Sequence, residues 1–413
     1  MKAGARVSIR SLPPARPGSS CVRNTMKDAP PGERSPAVLL LSVRRLSNLV
    51  AFSAQYEFED VIRDVTGAEL VEVADAGALE FSRRAYKLVR ALGRSRRLAT
   101  RVAPRPPVRP LDRDYELFFP VFNNTYELYA LQTIPDWRAR SRVAACYVTE
   151  IWEHLGPEYL LELLGQFDHI FLGTRHSVAE VARVTGRPCT YLPQAADVLR
   201  FSPLPDRPAR VIDVCNIGRR SAVTHEALVR LAAQRRIFYY FDTFAGGSDS
   251  RQRTFRVADS AQHRLLLASL LRRSRYFIAH RSRINEPEHT GSREEIAGRF
   301  YEGAAAGAVM LGEAPGTAEF QYQFGWPDAV IRAPFDCPAI GEMLAELDRQ
   351  PERLKRIQED NARNAASQHD WVHRLERVFA TLGITPTGAM RARHRRLDEL
   401  AAAAAPSASP ASA

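Results

Sequence analysis

The chain has 413 residues, 45% of them hydrophobic and 25% charged, which is the ordinary range of a globular protein long enough for two full cores. No apolar run reaches the roughly 18 residues that a membrane-spanning helix needs. The formal net charge of +11 sits on two appendages: ten Lys/Arg and no Asp/Glu over 83–109, and seven basic against two acidic residues over 1–35. The remainder is mildly acidic, which argues against a nucleic-acid surface spread along the fold.

Residues 1–35, rich in Pro, Gly, Ser and Arg without periodicity, are expected to form a disordered leader, with Met26 as an alternative start. A buried strand is predicted over 37–43, followed by the loop 44–48, a helix over 49–65 and a strand over 70–73. The basic segment begins as an amphipathic helix over 78–98. Phe81, Ala85, Leu88 and Leu92 share one face, with Arg83, Arg84, Lys87, Arg90 and Arg94 around it. That pattern fits a plain surface helix, and it also fits peripheral contact with an anionic membrane. Strands follow over 115–122, 142–149, 167–173 and 188–193, with a helix through Val184, an alternation that argues for a doubly wound parallel sheet. A proline-rich linker over 203–209 marks a boundary. A second β/α series then begins: strands over 211–217, 237–241 and 276–279, a polar excursion over 244–251 and a helix over 261–273. Helices over 338–349, 351–367 and 370–383 precede an Ala/Ser/Pro-rich end. Cys21, Cys146, Cys189, Cys215 and Cys337 are scattered with no C-x-x-C pair. Neither a disulfide framework nor a metal site is expected, and a cytoplasmic setting is.

Two stretches carry a family resemblance. In the first, Ser292 and Glu295 read as the capping-box start of a helix. Glu294 and Glu302 have seven residues between them, the small run 303–307 follows, and 308–311 is a short apolar strand closed by Gly312 and Pro315. This resembles the Glu-x7-Glu donor signature of GT-B glycosyltransferases, and among them the retaining "glycosyl transferases group 1" (family 4-like) enzymes. In the second, Pro193, Ala195, Asp197, Phe201 and Pro203 resemble the Pro-x-Gly/Ala-x-Asp turn and Phe-x-Pro crossing that end the family's N-terminal domain. The implied fold is α/β, with two Rossmann-like doubly wound domains facing a cleft (GT-B). The acceptor domain would span 36–203, the donor domain 204–385, and a low-complexity tail 386–413.

The resemblance also implies roles. Glu302 would accept hydrogen bonds from ribose hydroxyls and Glu294 from the donor hexose. Gly303 and Ala304 would let the nucleotide or a neighbouring backbone approach. A helix N-terminus near Ser292 would face the phosphates. Gly218 would give a tight turn, and Arg219 would clamp the diphosphate with its planar fork. Relatives carry a Lys five residues after that Arg; Thr224 stands here, so Arg220 or His225 is expected to complete the clamp. The alternative for Arg220 is a surface charge, for His225 an ordinary helix residue, and for the acidic pair a helix-face role, since Glu295 and Arg299 have i,i+4 spacing. The loop 44–48 lacks the glycine pair of many relatives.

Retention is implied, with the leaving phosphate taking the acceptor's proton. An inverting enzyme would need a base, for which Glu150 and His154 after a strand end are candidates, although such residues are also common caps. His280, after the strand 276–279, is a similar donor-side candidate. The expected function is transfer of a sugar from a nucleotide-diphosphate sugar, the co-substrate, to an unidentified saccharide, lipid or small-molecule acceptor. No separate cofactor and no nucleic-acid partner are expected. The alternatives are a non-catalytic sugar-nucleotide or carbohydrate-binding protein on the same fold, and a basic adaptor. A G-x-G-x-x-G fingerprint is missing from the first β/α turn, which counts against an oxidoreductase.

Overall fold

The structure, a computed structural model, describes residues 36–404 apart from 47–48, 74, 94–103, 105, 153–154 and 244–255. The expected leader, His154, the polar excursion and much of the basic segment lie outside the described residues.

Near-continuous apolar runs build two parallel sheets, as strands covered on both faces require. The first contains β1 (Val38–Ser42), β2 (Glu69–Glu72), β3 (Tyr115–Phe118), β4 (Val121–Phe122), β5 (Ser141–Val148), β6 (His169–Leu172) and β7 (Cys189–Tyr191). Its order is β2-β1-β3-β5-β6-β7, with β4 also beside β5. The run expected over 115–122 is split at Pro120, which has no N–H for the ladder; its carbonyl still accepts from Tyr147 N at 3.1 Å. The second sheet contains β8 (Ile212–Asn216), β9 (Tyr239–Phe241), β10 (Ser274–Ile278), β11 (Val309–Gly312) and β12 (Ile331–Arg332), in the order β12-β11-β10-β8-β9. Every pairing between these strands is parallel. The implied GT-B arrangement, two Rossmann-like halves across a cleft, is the one the chain adopts.

The halves are joined by side chains that sequence spacing does not reveal. The helix Ser53–Thr66 of the first half meets the helix Ser260–Arg272 of the second and the chain's last two helices, Trp371–Leu382 and Gly388–Ala403. Phe58 stacks on Trp371 with ring centroids 4.5 Å apart. The crossing turn is gripped by the C-terminal helices. Asp197 accepts from Arg393 at 2.6 Å, Asp370 accepts from the same guanidinium at 2.8 Å twice, and Ala196 exchanges backbone hydrogen bonds with His369 and Trp371. Asp197 is therefore a structural pin of the crossing.

Two expectations about this half are corrected. Residues 388–403, assigned to a low-complexity tail, form a helix whose Met390 and Leu397 are buried and whose cap, Thr387, donates to the carbonyl of Val65. Good helix formers at most positions and a few well-spaced apolar residues suffice once a partner surface exists. The helix before β11 starts at Gly298 and ends at Ala305, not near Ser292. The expected capping box does not form, because Glu295 turns to His176 of the other half, its Oε1 2.6 Å from Nδ1.

Candidate functional site

Between the two sheets, at the carboxyl ends of their strands, lies a cavity of about 660 Å³. Open α/β sheets bind ligands at this end, and the volume suits a molecule of nucleotide size.

The first wall is set by residues that follow β4 and β5. Asn123, Asn124, Thr125 and Tyr126 line it, with Glu150, Ile151 and Trp152. Asn123 is fully buried and donates to Glu127 at 3.0 Å. Burial pushes the Glu127 carboxyl up to about 7. Glu150 reaches the cavity, but its Oε2 also holds Arg283 of the other half at 3.1 Å and accepts from Trp152 Nε1 at 3.3 Å. It therefore serves as a latch between the halves.

The second wall carries the cations. The turn after β8 needs Gly218, whose φ of 77° is the left-handed conformation open to glycine. A β-carbon there would collide with the Arg299 guanidinium. Arg219 lines the cavity and pairs with Glu286 at 2.9 Å; Glu286 also lies 3.7 Å from Arg283. Arg299 comes from the second position of the helix Gly298–Ala305 and points under the Gly218 turn. Among the described residues its guanidinium has no ion-pair or hydrogen-bond partner. Burial holds its pKa below the ordinary value, with Glu302 and Asp242 opposing that and Arg219 reinforcing it. This helix also lacks a side-chain cap at Ala297, so its first N–H groups open toward the cavity that Ala297 and Gly298 line.

Glu302 lines the cavity from the same helix, and one of its oxygens pairs with Arg264. Arg264 is 3% exposed and makes a two-pronged contact with Glu57 of the first half at 2.9 and 3.0 Å. Burial alone would lower the Arg264 pKa; the charges of Glu57 and Glu302 hold it above the ordinary value. Burial also pushes the Glu57 carboxyl upward against the pull of Arg264. The chain Glu57–Arg264–Glu302 thus ties the cavity floor to both halves. His280, after β10, lines the cavity too. Its Nδ1 accepts from Glu313 N at 3.0 Å, and burial lowers its pKa to about 4, so the ring is neutral with its proton on Nε2.

The remaining expected residues stand elsewhere. Glu294 does not line the cavity: Oε2 accepts from Gly316 N at 2.6 Å and Oε1 lies 3.3 Å from Arg281. It shapes the loop after β11. Arg220 turns away to Asp242, whose carboxylate also accepts from Gly218 N at 2.9 Å. His225 packs against Phe241 and shares a 3.0 Å hydrogen bond with Tyr239. Thr224, where relatives carry Lys, is buried and clasps the backbone of Phe335 at 2.6 Å and Cys337 at 2.8 Å. Gly303 and Ala304 face the sheet. A β-carbon on Gly303 would meet Met310 Sδ at 2.6 Å, so the small run lets the helix lie close on β10 and β11.

Arg299 is the residue that sequence reasoning passed over. Its spacing to Glu295 suggested an ion pair on a helix that does not extend there. A better signal was its position three before Glu302, which puts both side chains on one helix face.

Residues 262–380 match the family model described as "Glycosyl transferase-like", a span that includes Arg264, His280, Arg299 and Glu302. No curated protein matches the sequence. The chain is similar to an α,α-trehalose-phosphate synthase (UDP-forming) from Burkholderia vietnamiensis at 11% identity and a TM-score of 0.47, over 85% of this chain and 99% of that one. It is also similar to Anabaena HepE in complex with UDP-glucose, at 11% identity and a TM-score of 0.46, over 84% and 99% of the two chains.

Proposed function

We propose that this chain is a glycosyltransferase that binds a nucleotide-diphosphate sugar in the cleft and passes its sugar to an acceptor on the N-terminal side. The observation that carries this reading is the Arg299 guanidinium, half-buried at the Gly218 turn on the same helix as Glu302, with no ion-pair or hydrogen-bond partner among the described residues. A cation partly withdrawn from water with no counter-ion in contact is costly, and a bound diphosphate would supply that contact. The uncapped helix N-terminus adds oriented N–H groups at the same place. The second oxygen of Glu302 is left for ribose hydroxyls, while Arg264 holds the first. The neutral His280 offers an Nε2–H donor to the sugar or its phosphate. The match over 262–380 covers this wall.

During transfer the glycosyl–phosphate bond breaks and negative charge grows on the leaving diphosphate. Arg219 and Arg299 would stabilise it through that step. The held position of Glu150 favours retention, in which the departing phosphate takes the acceptor's proton, over inversion with Glu150 as base. The amide and hydroxyl lining of Asn123, Asn124 and Thr125 suits an acceptor rich in hydroxyls. Peripheral contact with an anionic membrane is supported by the helix Ala76–Gly93, where Phe81, Leu88 and Leu92 are exposed beside Lys87. No helix among the described residues is long and apolar enough to cross a membrane.

The test is calorimetric titration with UDP-, GDP- and ADP-sugars, followed by slow donor hydrolysis. At least one donor should bind, with affinity lost in Arg299→Ala and hydrolysis lost in Glu302→Ala. Binding without hydrolysis would make the chain a sugar-nucleotide binder. Unchanged affinity in Arg299→Ala would overturn the assignment of the site.

A further inference from the structure

Outside the cleft, the last two helices bring His373, Glu376 and His394 together, with one ligand atom from each within 4.8 Å of the others. His373 and Glu376 are one turn apart on the helix Trp371–Leu382, so they share a face, and His394 reaches them from the helix Gly388–Ala403. None of the three lines the cavity. His394 Nε2 lies 3.3 Å from Glu376 Oε2, yet it is buried and makes no hydrogen bond among the described residues. Bonds of about 2.0–2.2 Å to a tetrahedral ion would set neighbouring ligand atoms roughly 3.3–3.5 Å apart. The His394–Glu376 separation matches that edge. The two imidazoles sit with centroids 4.8 Å apart, and a second cationic ring there would be repelled unless one stays neutral. His373 faces the Ala366 carbonyl through Nε2 at 3.3 Å. A neutral ring donating there keeps its lone pair on Nδ1, and a backbone carbonyl is a common orienting partner for a metal-binding histidine.

We propose that His373, Glu376 and His394 form a binding site for a divalent transition-metal ion of the zinc type, which staples the chain's terminal helix to the one before it. Two imidazoles and a carboxylate suit such an ion better than Mg²⁺ or Ca²⁺, which favour all-oxygen sets. Three protein ligands leave one position to water. The consequence is mechanical. The terminal helix carries Arg393, which grips Asp197 and Asp370 at the crossing, so an ion here would stiffen the brace between the two halves.

The full chain, stripped with a chelator, would be titrated with Zn²⁺ alone by calorimetry and then melted with and without it. One equivalent should bind and raise the melting temperature, since the ion favours the folded state. Glu376→Gln, at a side chain half-exposed to solvent, and His394→Ala should each weaken binding roughly tenfold or more. Both should abolish the zinc-induced rise, while their metal-free melting curves check that they fold. Tetrahedral Co²⁺ absorption should appear with the parent chain and vanish with either variant. Absence of stoichiometric zinc binding, or an affinity in both variants equal to the parent chain's, would overturn the site and leave His394 and Glu376 as a plain ion pair.

Discussion

On the first wall of the cleft, the residues after β4 and β5 present amides, hydroxyls and rings: Asn123, Asn124, Thr125, Tyr126 and Trp152. On the second wall, the corresponding positions after β8 and β10, with the helix Gly298–Ala305, present Arg219, His280, Arg281, Arg283 and Arg299. Both walls stand at the carboxyl ends of parallel strands, so the sheet plan does not create the contrast. The side chains placed there do. One wall is dressed for neutral hydroxyls and the other for an anion. Most of the second wall's cations are already matched with carboxylates: Arg219 with Glu286, Arg281 with Glu294 and Glu313, Arg283 with Glu150. Arg299 is the exception among them, and the proposed diphosphate would sit against it.

The largest effect is expected where the two walls are joined. Arg264 lies between Glu57 and Glu302 with almost no solvent contact, and Arg264→Ala would leave Glu302 without its cation and the buried Glu57 with only Arg200, 3.7 Å away. Breaking such a pair typically costs about 3–5 kcal/mol. Urea unfolding should show a loss of that order, and a change under about 1 kcal/mol would mean that the halves are held together elsewhere. Arg299→Ala should behave in the opposite way. Removing a half-buried cation with no contacting partner should leave the melting temperature unchanged or higher, while donor turnover falls roughly 10²–10³-fold, the loss seen when one transition-state donor is removed. A drop in stability with turnover intact would reverse the assignment.

His280 gives a subtler contrast, since it is a cavity imidazole that burial holds neutral. Its folded pKa is about 4, below the roughly 6.5 of an unfolded histidine. Between those values the unfolded chain binds the extra proton and the folded chain does not. Stability therefore falls as pH drops through that window and levels off below it. The contribution approaches about 1.4 kcal/mol per pH unit. Urea melts at a series of pH values, compared with His280→Asn, isolate it. A variant with the same slope as the parent would show that other groups set the pH response.

How far the sequence was legible follows from what each signal depends on. The strands expected over 37–43 and 308–311 and the turn at Asp197 rest on local pattern, and the structure has strands at Val38–Ser42 and Val309–Gly312 and a turn at Asp197. Gly218, Arg219 and His280 line the cavity because a turn or strand end fixes them, and Glu302 because its helix, Gly298–Ala305, does. Glu294, Arg220 and His225 do not. Their positions were carried over by spacing, while their side chains are decided by partners remote in sequence: Gly316 for Glu294, Asp242 for Arg220, Tyr239 for His225. The helix 388–403 was missed for a related reason. Its weak apolar pattern becomes meaningful only against the surfaces it packs on, the helices Pro351–Gln368 and Ser53–Thr66, the second more than three hundred residues earlier. Arg264 and Glu57 were equally invisible, because a buried ion pair across 207 residues leaves no periodic trace.

Glu150 is where the two walls can be told apart most finely, because it stands on one and is held by the other. As a latch, its side chain and that of Arg283 are each about one-third exposed, so the pair is screened and worth less than about 1 kcal/mol. Glu150→Gln keeps the size and the acceptor for Trp152 Nε1, and should change both stability and turnover by less than about tenfold, with the difference shrinking in added salt. A general base in the same place would respond differently. Its removal would cost roughly 10²–10⁴ in rate at any ionic strength, and the rate would regain pH dependence from whatever group replaced it. Rate against salt at two pH values, measured for the parent and Glu150→Gln, separates the cases. A small, salt-sensitive effect supports a leaving phosphate that collects its own proton, and so retention. A large, salt-insensitive one moves the proton acceptor to the first wall and reverses the stereochemical expectation.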